Sequence, residues 1–182
     1  MNILRSTRDS PRPAGDRTVG MQESPIVQDS PILRPRILLA DDHRELLNTL
    51  RPLLDEVGEV VGMVEDGGAL VEAARLLEPD LIITDISMPR LNGLDATRTI
   101  LACLPQSKVI ILTVHREAVY LSLAFNAGAR GYILKRSAVA ELPQAVLRVL
   151  AGDRYIGQGV GGGREEWAAA DGDKDTTWRS TF

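Results

Sequence analysis

Uninterrupted apolar runs, each closing on a polar residue, recur along this chain. They alternate with longer stretches in which apolar residues return every three or four positions. Leu81-Ile82-Ile83, followed by Thr84 and Asp85, is the clearest run. With no polar alternation before Thr84, it reads as a strand buried on both faces of a parallel sheet. Ile37-Leu38-Leu39-Ala40, the valines Val60, Val61 and Val64, the run 108–113 and the run 129–134 read as four further strands. Between them, Leu46, Leu47, Leu50, Leu53, Leu54 and Val57 predict a helix over 44–57, with Gly58 as its C-terminal cap. Further helices are predicted from Gly67-Gly68 to the stop at Pro79, over 93–103, over 117–126 and over 138–151. Pro52 predicts a local bend in the first helix, and Pro143 is expected near the first turn of the last. Five strands alternating with five helices call for an α/β fold, a doubly wound parallel sheet covered on both faces.

The flanks follow other rules. Residues 1–35 hold Pro11, Pro13, Pro25, Pro31 and Pro35 with no sustained apolar period. Such a segment buries too little surface to offset its ordering entropy, so disorder is expected. Residues 157–182 turn glycine-rich and then acidic, and disorder is expected there as well. Order is expected over 36–156. The 182 residues thus divide into one domain and two appendages.

Composition narrows the function classes. An apolar fraction of 44% with 25% charged residues is ordinary for a globular chain with a real core. A net charge of -4 and a pI near 5.3 give no basic footprint for nucleic acid. The one cysteine, Cys103, excludes an internal disulfide and a cysteine metal cage. With no apolar leader and no apolar run of membrane length, a cytoplasmic protein without membrane contact is expected.

The chemistry gathers at the strand ends. Asp41 and Asp42 follow the first strand, Asp85 the third, Thr113 ends the fourth and Lys135 follows the fifth. In open α/β sheets these carboxyl ends form the ligand-binding edge. Taken alone, Asp85 also reads as a helix cap or an ordinary loop carboxylate. Together, three carboxylates would repel; two charges about 4 Å apart cost about 4 kcal/mol at an effective dielectric of about 20. Magnesium suits such a site, since it takes oxygen ligands in an octahedron and keeps bound water. Lys135 adds a point charge and Thr113 a hydroxyl donor, which describes a pocket for a doubly charged phosphoryl group.

These residues carry a resemblance. The acidic pair Asp41-Asp42, Asp85 with Met88-Pro89 and Asn92-Gly93, Thr113, Tyr132 and Lys135 occur in one order and spacing. In them the chain, over roughly 36–156, resembles the receiver domain of bacterial two-component response regulators. The runs 128–132, 134–135 and 151–156 look like the subgroup that usually carries a C-terminal helix-turn-helix module. The resemblance implies a flavodoxin-like sheet of order 2-1-3-4-5 and a phosphorelay role, with Asp85 as phosphoacceptor from a sensor histidine kinase or phosphotransfer protein. It implies Mg2+ held by Asp42, Asp85 and the backbone carbonyl of Ser87, with Asp41 acting partly through water. Lys135 would neutralise the phosphoryl oxygens and Thr113 would be recruited to them. Tyr132 would then turn into the vacated space and change the surface of the fourth helix, fifth strand and fifth helix, where a homodimer could form. No enzymatic activity is expected beyond its own phosphorylation and dephosphorylation.

Some positions depart from that pattern. Arg136 follows Lys135 where many receivers have a proline, and 159–182 shows neither a recognition helix nor a basic face, so no nucleic-acid binding is expected. A transcription regulator that has lost its helix-turn-helix module is the alternative. A magnesium-dependent phosphatase is weaker, because Ser87 stands where its general acid would be needed. His43 is expected to open the first helix, and His115 to border the pocket.

Overall fold

A computed structural model of the chain describes residues 34–161. Of the stretches expected to be disordered, 1–33 and 162–182 lie outside the described residues, whereas 157–161 are packed onto the domain through Gly157 N–H to the Tyr132 carbonyl and Gly161 N–H to the Arg116 carbonyl. Within them the chain runs β1 (Arg36–Ala40), α1 (Arg44–Asp55), β2 (Glu59–Val64), α2 (Gly67–Leu77), β3 (Leu81–Thr84) and α3 (Gly93–Cys103). It continues through β4 (Lys108–Thr113), α4 (Ala118–Asn126), β5 (Gly131–Leu134), a 3-10 turn over Lys135–Ser137, α5 (Ala138–Leu150) and β6 (Tyr155–Ile156). The sheet is parallel throughout, in the order β2-β1-β3-β4-β5-β6. The expected α/β architecture and order are present, with a sixth strand at the β5 edge. Two residues are too few to show an alternation, which is why β6 leaves no mark in the sequence pattern.

The pleat sorts each strand onto two cores. Leu38, Ile82, Val109 and Ile111 face α2, α3 and α4 through Leu70, Ala74, Ile100 and Leu121. Ile37, Leu39, Ile83, Ile110 and Leu112 face α1 and α5 through Leu47, Leu50, Leu54, Leu142 and Val149. Both faces being covered explains why the central strands carry no polar alternation.

Gly58 resolves differently from expectation, and neither proline ends its helix. α1 continues through Pro52, which is exposed along with Asn48, so the carbonyl that loses its helical donor lies on the solvent side where water can replace it. Pro143 sits in the second turn of α5 rather than the first, and its i−4 partner Val139 is likewise exposed. α1 ends at Asp55, and Gly58 donates its N–H to the Leu54 carbonyl at 2.8 Å. A Cβ there would run into the Ile37 side chain and the Pro35 carbonyl, so close approach rather than a left-handed cap demands the glycine.

Ile82→Ala, in the central strand, is expected to lower unfolding free energy by about 2–5 kcal/mol. Leu76→Ala, on the open face of α2, should change it by less than about 0.5 kcal/mol. Urea unfolding of the two variants measures both.

Candidate functional site

Strand register builds the site. Ala40 lies opposite Thr84, so the next residues, Asp41 and Asp85, leave the sheet side by side. Each continues the ladder by one bond: Asp85 N–H to the Ala40 carbonyl at 2.9 Å, Asp41 N–H to the Val64 carbonyl at 3.1 Å. Thr113 lies opposite Leu134, which puts Lys135 one residue beyond it at the same edge. Segments distant in sequence thereby converge because their strands are parallel and stop together.

Asp41 and Asp85 are buried, at 2% and 3% exposure. The Lys135 ammonium lies between them, 2.7 Å from Asp41 Oδ2 and 2.8 Å from Asp85 Oδ2. Burial pushes the Lys135 pKa down, but hydrogen bonding and charge from Asp41 and Asp85 outweigh this and hold it above its ordinary value. The other oxygen of Asp85 accepts the Ile86 N–H at 2.6 Å. Asp42 is exposed, and its Oδ1 is 2.8 Å from His43 Nδ1. That ring nitrogen is also 3.1 Å from Asp41 Oδ1, which in turn accepts the His43 N–H at 3.0 Å.

The donor set fits a hard divalent cation. Ligand atoms of Asp41, Asp42 and His43 lie within 4.8 Å of one another. Asp41 Oδ2 is buried against the Lys135 ammonium, which also faces Asp85 Oδ2. One ammonium against two buried carboxylates leaves net negative charge, to which Asp42 on the rim adds, and a further cation would offset it. The acidic cluster is thus compatible with Mg2+ binding.

The loop carrying Asp85 is held by backbone contacts. A Cβ on Gly93 would collide with the Asp85 carbonyl, and one on Gly67 with the Leu91 carbonyl, so only glycine permits the packing. Gly93 N–H donates to the Ile86 carbonyl at 2.9 Å, and Asn92 caps α3 by accepting the Asp95 N–H at 2.9 Å. Arg90 takes a left-handed backbone (φ 66°) and its guanidinium bonds the Asp66 carboxylate. Asp66 caps α2 through the Ala69 N–H at 2.8 Å. That backbone bond holds the Asp66 carboxyl below its ordinary value against the opposing effect of burial, with Arg90 adding to it.

On the other side stands the loop after β4. Thr113 is fully buried, and its hydroxyl accepts the His115 N–H at 3.3 Å. The Tyr132 ring is also fully buried, and its hydroxyl donates to the His115 carbonyl at 2.8 Å. Burial first, then the charges of Glu117 and Asp85 among its neighbours, push the phenol pKa well up. His115 stacks on Tyr120, ring centres 4.0 Å apart, and its Nε2 lies 3.4 Å from Ser87 Oγ. An open cavity of about 390 Å³ lies beside Ile86 and Ser87, bounded by Asn92, Arg98, His115 and Tyr120 among others.

The residues singled out from the sequence gather at or next to this edge, with Ser87 beside the cavity and the others in three groups. Asp41, Asp85 and Lys135 are in direct contact; Asp42 is on the rim; Thr113 and Tyr132 are joined through the His115 backbone. Three contributors were missed. His43 bridges both carboxylates of the acidic pair, a contact its adjacency to them could have suggested. Asp66 before Gly67-Gly68 is a recognisable cap signal. Arg90 carries no signal, since its role depends on an unusual backbone angle.

Residues 37–147 match the family model for the response regulator receiver domain. The response regulator GacA of Pseudomonas viridiflava is 41% identical over 124 residues, covering 66% of this chain and 58% of the relative. UvrY of Escherichia coli is 36% identical over 126 residues, covering 68% and 58%. Among solved structures, a LuxR-family two-component response regulator from Aurantimonas sp. SI85-9A1 aligns with a TM-score of 0.64 at 35% identity, covering 67% of this chain and 89% of that one. The chain thus spans 58% of the length of these two curated relatives.

Asp66→Ala should cost about 1 kcal/mol near neutral pH through the lost cap. Because the folded pKa is depressed, this stabilisation is present above the ordinary value of 3.8 and disappears as pH falls through the folded value. Urea unfolding at about pH 7 and about pH 3 should show the gap between parent and variant closing at the lower pH.

Proposed function

The chain belongs to the response regulator receiver domain family, and on that premise we propose that Asp85 is its phosphoacceptor, supplied by a histidine kinase or phosphotransfer protein. One observation carries the assignment: Asp85 is the buried strand-end carboxylate that shares the Lys135 ammonium with Asp41. An oxygen of Asp85 attacks the phosphorus of a phosphohistidine. The P–O bond forms as the P–N bond breaks, and the electron pair leaves with the imidazole.

Asp42, Asp85 and the Ser87 carbonyl would hold Mg2+ directly and Asp41 partly through water. When bound, the ion would offset charge between the attacking carboxylate and the incoming phosphoryl group. Lys135, kept as ammonium by its two carboxylates, is placed to neutralise the phosphoryl oxygens without a proton change.

The signal then passes through Thr113. Its hydroxyl turns to a phosphoryl oxygen and draws the following loop toward the site. Tyr132 acts here as a tie rather than a ring that must travel inward, since it already lies inside with its hydroxyl on that loop. Movement of the loop re-sets the face of α4, β5 and α5, where exposed Val119 and Leu123 on α4 and Val139 and Leu147 on α5 offer apolar area to a partner or second copy.

With Mg2+ and a small acyl-phosphate donor, the parent chain should gain one phosphoryl mass and Asp85→Asn none; an equal gain in the variant would refute the assignment. Thr113→Ala should still take up the group, while the loop after β4 loses its phosphorylation-dependent change in amide exchange. Intact-mass and exchange measurements on the same samples read both.

A further inference from the structure

After α5 the chain turns back along the open edge of β5, and nothing in phosphoryl transfer requires it to. β6 pairs there with Gly131 and Tyr132. Gly157 N–H then donates to the Tyr132 carbonyl at 2.8 Å. Glu141 of α5, 7% exposed, fastens the turn: it accepts the Tyr155 hydroxyl at 3.1 Å, and both its oxygens lie 3.1 Å from the Gln158 N–H. A Cβ on Gly157 would press on Glu141 Oε2 at 2.9 Å, so the seat is closely fitted.

The far end lands on the switch. Val160 is buried in the same cluster as Tyr132, Leu121 and Phe125. Gly161 N–H donates to the Arg116 carbonyl at 2.6 Å. Arg116 belongs to the loop that leads from Thr113 into α4, one residue after the His115 carbonyl that Tyr132 holds. Residues 155–161 therefore join the rigid β5–α5 edge to the loop that the Thr113 hydroxyl would pull.

We infer that residues 155–161 form a strap whose docking on the loop after β4 opposes the phosphorylated arrangement, so that phosphorylation loosens the strap and the docked strap weakens the hold on the phosphoryl group. The inference rests on the acceptor role proposed for Asp85. The direction is part of the inference. Drawing Thr113 toward Asp85 carries the His115 N–H and its neighbour Arg116 away from a strap anchored elsewhere, on Glu141 and β5. The bond to Gly161 is the one that lengthens. Linkage makes the effect reciprocal, so loosening the strap by mutation must favour the loaded state by the same factor.

Hydrogen–deuterium exchange on the full chain with Mg2+, with and without beryllofluoride as a mimic of the acyl phosphate, tests this. Exchange over 155–161 should rise about fivefold or more on loading, together with a change over 113–117. Val160→Ser, which weakens the apolar seat, should bind beryllofluoride about fivefold more tightly than the parent. A change confined to 113–117, with the strap equally protected in both states, would overturn the strap while leaving Asp85 in place. Failure of the parent to load at all would overturn both. Should Val160→Ser fail to fold, the exchange comparison on the parent decides alone.

Discussion

A lysine ammonium wedged between two buried carboxylates sets the terms for the rest of this molecule. Asp41 and Asp85 cannot be brought to adjacent strand ends and dehydrated without a compensating cation, and Lys135 supplies it from the far side of β4. The constraint reaches into the fold. β1 and β3 must be neighbours for the two acids to meet, and β5 must stop in register with β4 for the lysine to reach them. The order of strands is thus the condition under which one ammonium meets two carboxylates that are separated by many residues of chain. Local backbone contacts then finish the work: Gly67 and Gly93 let the loop after β3 lie closely against its neighbours, at the Leu91 and Asp85 carbonyls.

Much of this was legible in the residues because the signals were long or repeated. β3 and β4 are buried on both faces and so carry runs with no polar break, while α2 and α3 start and stop at glycine and proline. The convergence of Asp41, Asp85 and Lys135 was also legible, since a polar residue closing one apolar run after another has no packing explanation. Thr113 followed the same strand-end pattern, Tyr132 came from resemblance, and their link through the His115 backbone could not be read from side-chain identities.

What escaped reading was short, conformational or dependent on chain reversal. β6 has only Tyr155 and Ile156, too little for a period, and its pairing depends on the edge left open by β5. Arg90 acts through a positive φ that its side chain does nothing to encode. Glu141, a carboxylate on α5, is buried because a later segment folds over it, which no local pattern announces. Pro52 and Pro143 lie inside their helices without ending them. They are tolerated because the carbonyl each deprives of a donor lies toward water.

The enclosure of Tyr132 has a consequence for how information crosses the domain. Its phenol is kept far from ionisation and its hydroxyl already has an acceptor, so across the range of cellular acidity the side chain neither gains nor sheds a proton. A neutral strut of this kind transmits displacement and not charge. In the role proposed for this residue, receipt of the phosphoryl group would be an electrostatic event confined to one rim of the sheet, and what left by way of the tyrosine would be mechanical, insulated from the acidity of its surroundings.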